Sequence, residues 1–208
     1  MTKPPILLVG AGGHALSCID TIEAQGVYQI VGLIGTPQEV GQARLGYTVI
    51  GSDSMLKKIR HDCAYALVGI GQIHSASLRI DLYNRLLKAG YELPAIQSPY
   101  ARVSPHAHIG RGSIVMHGAI VNAGAIVGEN CIINSHALIE HGVKIENHCH
   151  IATGARINGD ITIGTKSFIG SGAIVREGIR IGQSCVVGMG EVVRADLQDR
   201  QTTKQSRT

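Results

Sequence analysis

The sequence predicts a small α/β domain followed by a parallel β-helix, and three observations carry that expectation. Ile or Val occupies every sixth position from Val103 to Val193, sixteen times without a miss. The first hundred residues instead alternate strand-like and helix-like runs, opening with a strand, a Gly-rich turn and a helix. Aromatic residues are scarce, with one Phe, six Tyr and no Trp in 208 residues. Any core must therefore be aliphatic, and a 44% hydrophobic content supplies one. With only 16% charged residues, that content excludes disorder as the main state. The 27 glycines lack the three-residue period of collagen.

In chain order, Ile6-Leu7-Leu8-Val9 reads as a buried strand and Leu16 to Gln25 as a helix closed by Gly26. Tyr28 to Ile34 is a second strand. Tyr65 to Gly71 is another, followed by a helix from Ser75 to Ala89 closed by Gly90. This alternation implies a small Rossmann-like parallel sheet over residues 1–97, with a boundary near Gln97-Ser98-Pro99. The turn Gly10-x-Gly12-x-x-Ala15 joins strand to helix, where bare backbone and a helix N-terminus together favour a phosphate. A dinucleotide site expects an acid at the end of the second strand. Leu33-Ile34-Gly35-Thr36 has none, so a smaller phosphate ligand such as a nucleotide-sugar fits better than NAD.

Residues 98–195 form the repeat. A six-residue period is the mark of a parallel β-helix, in which three hexads make one coil of 18 residues. The Ile/Val column fills the interior. Four residues after each comes a small or apolar residue, with Glu191 the clear exception. Gly or Asn often follows directly, as at Gly110, Asn122, Gly128 and Gly164, so the positive-φ corners are expected there. Cys131, Cys149, Ser167 and Cys185 are 18 apart and stack along one edge as core. The five cysteines, odd in number and without a CxxC pair, read as reduced thiols of a cytoplasmic protein. Residues 196–208 read as a polar, disordered tail.

Net charge is +4 and Lys and Arg are scattered, which gives no support for nucleic-acid binding. No apolar run approaches the ~18 residues of a membrane span. The apolar stretch within Met1 to Gly13 is too short for a signal peptide.

The hexad repeat resembles that of the hexapeptide-repeat acyltransferases, whose β-helix is left-handed. The whole chain is similar to a bacterial family of sugar acetyltransferases. That family includes sialic-acid O-acetyltransferases and UDP-4-amino-sugar N-acetyltransferases. The matching motifs are Val9-Gly10-Ala11-Gly12-Gly13-His14, the Gly69-Ile70-Gly71 strand end and Asn134 through His141. The resemblance implies a homotrimer that uses acetyl-CoA, with cofactor sites between neighbouring prisms. It implies that Gly10, Gly12, Gly13, His14, Gly69 and Gly71 hold the sugar acceptor. It makes His141 the general base, with Asn134 near it; the group that orients the imidazole is left open between Glu140, Asn134 and a group from a neighbouring subunit. It places His150, Ser171, Gly172 and Gly188 along the cofactor. The implied reaction is N-acetylation of a UDP-4-amino-sugar, with O-acetylation of a sialic-acid-like nonulosonic acid as the alternative. Imidazole titrates near neutrality, which suits removal of a proton from the attacking group.

Three positions depart from the family pattern. Gly142 stands where an acid usually follows the catalytic histidine, and Gly35-Thr36 stand where Asp-Asp is usual. The polar tail replaces a Gly-x-Pro-Ala-type loop. These departures motivate the reading of a binding protein that has lost the chemistry. Another reading starts from His136-x4-His141-Gly142, which resembles the zinc spacing of γ-class carbonic anhydrases, with His117 as third ligand. That class's Arg-x-Asp motif is missing and the first domain is foreign to it. The acetyltransferase reading expects no metal.

Overall fold

The computed structural model describes residues 2–203. The first strand, β1 (Pro5–Val9), leads into helix α1 (Gly13–Gln25), then β2 (Gln29–Ile34). A hairpin follows, β3 (Ala43–Arg44) and β4 (Tyr47–Gly51), then the short helix α2 (Leu56–Ile59). Strand β5 (Tyr65–Val68), helix α3 (Ser77–Lys88) and β6 (Ile96–Gln97) complete this half. The sheet order is β3-β4-β2-β1-β5, parallel except for the β3–β4 pair. The chain crosses from β2 on one side of β1 to β5 on the other. That places a topological switch point at the carboxyl end of β1, where open α/β sheets bind ligands.

Local chemistry explains the helix ends. Helix α1 begins at Gly13, three residues earlier than the sequence predicts, because Gly12 is its N-cap. It ends on Gly26 in the left-handed region at φ 69°. Gly10 takes φ 127°, and a Cβ there would come 2.5 Å from Ile70 Cγ2, so the turn and the loop after β5 require glycine. Leu7, Val9, Leu82 and Leu86 pack on one side of the sheet. On the other, Ile6, Leu8, Ile19 and Ile22 pack together with Ile114, Met116 and Ile132 of the repeat, so the two halves share one core.

The repeat is a triangular prism of two-residue parallel strands from Arg102–Val103 to Val192–Val193. Face 1 stacks β6 with Ile114–Val115, Ile132–Ile133, His150–Ile151, Phe168–Ile169, Val186–Val187 and Thr202–Thr203. Face 2 runs from Arg102–Val103 to Val192–Val193, and face 3 from His108–Ile109 to Arg180–Ile181. The α/β domain rests on face 1. The Ile/Val column is fully buried from Val115 to Val187. Each such side chain contributes about 1.5–3 kcal/mol of burial.

The structure moves the positive-φ corners. Every sixth residue from Gly112 to Gly190 has φ between 53° and 76°, and this column lies three residues after each Ile or Val rather than one. The glycines that directly follow Ile or Val serve another purpose. At Gly110, Gly164, Gly170 and Gly182 a Cβ would sit 2.5–2.6 Å from backbone atoms of the next coil. Residues 196–203 are also ordered, against expectation. Leu197 is buried and bridges to Ile181, and Thr202–Thr203 pairs with Val186–Val187. The apolar end of the column needed a lid, which Leu197 supplies. Residues 204–208 lie outside the described residues. Along the edge between faces 3 and 1, Ser113, Cys131, Cys149 and Ser167 each donate to the carbonyl fifteen residues on. Cys131, Cys149 and Cys185 are fully buried and their thiols are engaged by backbone carbonyls, so the column is structural.

Gly170→Ala is expected to destabilise the chain by about 1–3 kcal/mol through overpacking. Gly154→Asn should cost less, because nothing lies within 4 Å of a Cβ there and Asn tolerates left-handed φ. Urea unfolding midpoints of the two variants test the contrast.

Candidate functional site

The carboxyl end of β1 opens on a cavity of about 400 Å³ lined by the Gly10–Gly12 turn, Gly35, Thr36, Ser52 and Asp53. Helix α1 has no side-chain cap and no acid in its first turn, so its free N–H groups and dipole are available to an anion. No atoms lie within 4 Å of a Cβ at Gly12 or Gly13.

The missing acid at the end of β2 is present after all. A 3₁₀ turn over Pro37–Glu39 folds Glu39 back over Gly35. Its Oε2 accepts from Thr36 N at 2.8 Å and from Thr36 Oγ1 at 2.9 Å. These bonds, the backbone one first, hold the carboxyl below the usual carboxylate range. Arg44 lies 3.6 Å from Oε1 and donates from Nε to the Ala11 carbonyl at 2.8 Å, tying this wall to the Gly-rich turn. The Thr36-x-x-Glu39 capping box was the sequence signal for it.

A second group of polar residues lies where the loop after β5 meets face 1. Arg79 is fully buried and donates to the carbonyls of Val68 and Ile70 at 2.8 and 2.7 Å, and to that of Asn130 at 3.3 Å. Gln72 donates to the His148 carbonyl at 2.7 Å. Its own carbonyl accepts from His150 Nδ1 at 2.7 Å, leaving Nε2 to accept from Asn134 Nδ2 at 3.3 Å. The His14 and His150 rings are 6.2 Å apart. Gly71 backs onto the His14 ring. Gly69 is buried against Leu8, where a Cβ would fall 2.7 Å from Cδ1, so it acts as packing rather than as exposed backbone. Burial, reinforced by the Arg79 cation, lowers His14 to about 3 and His150 to about 4.

Beside this group runs an apolar groove of about 680 Å³ between Ile73–His74 and Phe168, Ser171, Gly188 and Met189. Phe168, which lines the groove, meets the His150 ring edge-on at 5.2 Å. Ser171 and Gly188 line it, as the resemblance implied. Gly172, in the adjacent left-handed corner, is not among its lining residues.

His141 is elsewhere. It lies on the vertex between faces 2 and 3, opposite the face that carries the α/β domain. Its ring is exposed and packs against Gly159. Glu140 Oε2 accepts from Asn122 Nδ2 at 2.9 Å and from His141 N at 3.4 Å. Asn134 pairs with His150 on another vertex, so one chain does not bring it to His141. Within one chain, the three histidines of the zinc reading do not converge. His117 bonds Ser98 Oγ at 2.6 Å and Asp20 Oδ2 at 2.7 Å, while the His136 ring packs over Gly118. Among the described residues, no three His, Cys, Asp or Glu side chains are gathered to hold a metal.

Residues 5–86 match the family model of the PglD N-terminal domain. The model of the bacterial transferase hexapeptide (six repeats) matches 106–141 and 124–159. That of the hexapeptide repeat of succinyl-transferase matches 160–195. The structure is similar to that of perosamine N-acetyltransferase from Caulobacter crescentus, solved with CoA and GDP-perosamine and with one histidine replaced by asparagine. The TM-score is 0.90 at 30% identity, over 97% of this chain and 93% of that one. It is also similar to the acetyltransferase domain of PglB from Neisseria gonorrhoeae FA1090 with acetyl coenzyme A. There the TM-score is 0.88 at 29% identity, over 97% and 96% of the two chains. WeeI from Acinetobacter baumannii AYE shares the fold at 22% identity and a TM-score of 0.79, over 95% of each chain. No curated protein matches the chain in sequence.

The lowered histidines make stability depend on pH. Between the ordinary value of 6.5 and about 4, the unfolded chain takes up protons that the native His14 and His150 refuse. Stability should therefore fall as pH drops through that window, by at most about 1.4 kcal/mol per unit per histidine. Denaturant midpoints measured from pH 7 to 4 should decline, and less steeply in His150→Gln.

Proposed function

The chain belongs to the hexapeptide-repeat sugar acetyltransferases that carry a PglD-type N-terminal domain, and from that premise we propose that it acetylates the amine of a nucleotide-linked 4-amino-sugar. The observation that carries the reading is the pairing of two cavities. The phosphate-friendly cavity at the end of β1 suits the nucleotide, and the apolar groove at Ser171, Gly188 and Met189 suits the pantetheine arm of acetyl-CoA. Phe168, in the wall of that groove, meets the ring of the neutral His150, which stands beside His14. Similar enzymes hold GDP-perosamine and CoA, which favours an N-acetyl product over O-acetylation of a nonulosonic acid, and an enzyme over a passive binder.

In the proposed reaction, the acceptor nitrogen attacks the thioester carbonyl, forming C–N as C–S breaks. His141 takes the proton lost from nitrogen and returns it to the departing sulfur, so that CoA leaves as the thiol. His141 stands on the vertex away from its own α/β domain, so it serves the cavity of another copy of the chain. A homotrimer built around parallel prism axes meets that requirement.

Thiol release from acetyl-CoA with UDP- and GDP-linked 4-amino-sugars tests the reading, with a nonulosonic acid as comparison. A 4-amino-sugar should be the better acceptor and yield its N-acetyl product. His141→Ala should lose about 10²–10⁴-fold in turnover. Gly12→Asp, which sets a negative charge against the phosphate, should also be inactive. Co-expression of these two variants should restore a fraction of activity. Failure of that complementation would place the site within one chain.

A further inference from the structure

An imidazole that accepts a proton works best when a carboxylate steadies its ring and offsets the charge it acquires. The His141 ring has no hydrogen-bond partner among the described residues, and the Glu140 carboxylate is engaged by Asn122 and the His141 backbone. The next residue, Gly142, has no side chain to offer.

One coil further on, the corner Gly159–Asp160 stacks against His141–Gly142, with Asp160 N donating to the His141 carbonyl at 3.1 Å. The two side chains cross between these corners. The His141 ring lies over Gly159, with Cε1 and Nε2 2.6 and 2.8 Å from where a Cβ would stand. The Asp160 carboxylate points back to Gly142, its Oδ1 filling the space in which a side chain on 142 would begin. Asp160 holds φ 57° in the left-handed column. Its carboxylate has no hydrogen-bond or ion-pair partner among the described residues. Each glycine is thus the vacancy that the other corner's side chain occupies.

We propose that Asp160 is the positioning residue for His141: its unpaired carboxylate, lodged against Gly142 on the next coil, is the acid that meets the unpaired ring when the imidazole takes the proton. The proposal rests on His141 being the general base. It also accounts for Gly142: any side chain there would evict the carboxylate.

Steady-state thiol release with acetyl-CoA and a nucleotide-linked 4-amino-sugar tests it in four proteins: wild type, His141→Asn, Asp160→Asn, and the double variant Gly142→Asp with Asp160→Gly. Asn tolerates left-handed φ, so Asp160→Asn keeps the corner. The expected result is that Asp160→Asn lowers kcat about tenfold or more with the acceptor KM little changed. The double variant, which returns the acid to position 142, should recover most of the lost kcat. An inactive His141→Asn beside a fully active Asp160→Asn overturns the proposal and leaves the base assignment standing. A raised acceptor KM with kcat retained in Asp160→Asn also overturns it, by making Asp160 a substrate contact. A fully active His141→Asn removes the general-base reading itself.

Discussion

The interaction on which the rest of this molecule depends is the backbone ladder between successive coils. Ile120 N donates to the Ala137 carbonyl, Leu138 N to that of Ala155, Arg156 N to that of Ala173, and so on down each face. Coils held by that ladder stand one strand spacing apart, about 4.8 Å. Side chains that point inward must then be branched and aliphatic, and those on the closest corners must vanish. The left-handed column from Gly112 to Gly190 turns the chain onto the next face. The second set of glycines lets one corner rest directly on the next.

This constraint explains what the sequence makes legible. An inward position has no alternative to Ile or Val, so the period shows through all sixteen hexads. Glycine has two uses, absence of a side chain and freedom of φ, and composition does not separate them. The sequence alone therefore points to Gly110 and its equivalents as the corners, whereas Gly112 and its equivalents make the turn. The α/β half was readable through its apolar runs, but the hairpin of β3 and β4 carries no strong period. Glu39 escaped notice because it reaches the end of β2 through a turn rather than by following it directly. Asn134 and His141 look like neighbours in the chain. They differ by seven residues, one more than a hexad, and so fall on different vertices of the prism.

The two halves are less separable than a domain boundary suggests. Ile96, Ile114 and Ile132 lie in one cluster with residues of β1 and α1. Arg79 then ties the end of β5 to Asn130 through three carbonyls, with no carboxylate partner among the described residues. A cation held this way acts as a pin: removing it strands three buried acceptors. Ile70 lines the cavity at the end of β1 and Ile73–His74 line the apolar groove, so the loop that Arg79 pins carries a wall of each.

The ordered tail has a consequence for how the molecule behaves in a crowd. A solenoid of parallel strands ends in an unpaired edge, which invites another copy to add on and grow a fibre. Thr202–Thr203 covers that edge on face 1, and Leu197 bridges to Ile181 on face 3. Among the described residues, Thr202–Thr203 and Val192–Val193 are the last strands of faces 1 and 2 at that end. Edges of two residues are poor templates, so the turn from Leu197 to Thr203 leaves a second prism little to add to.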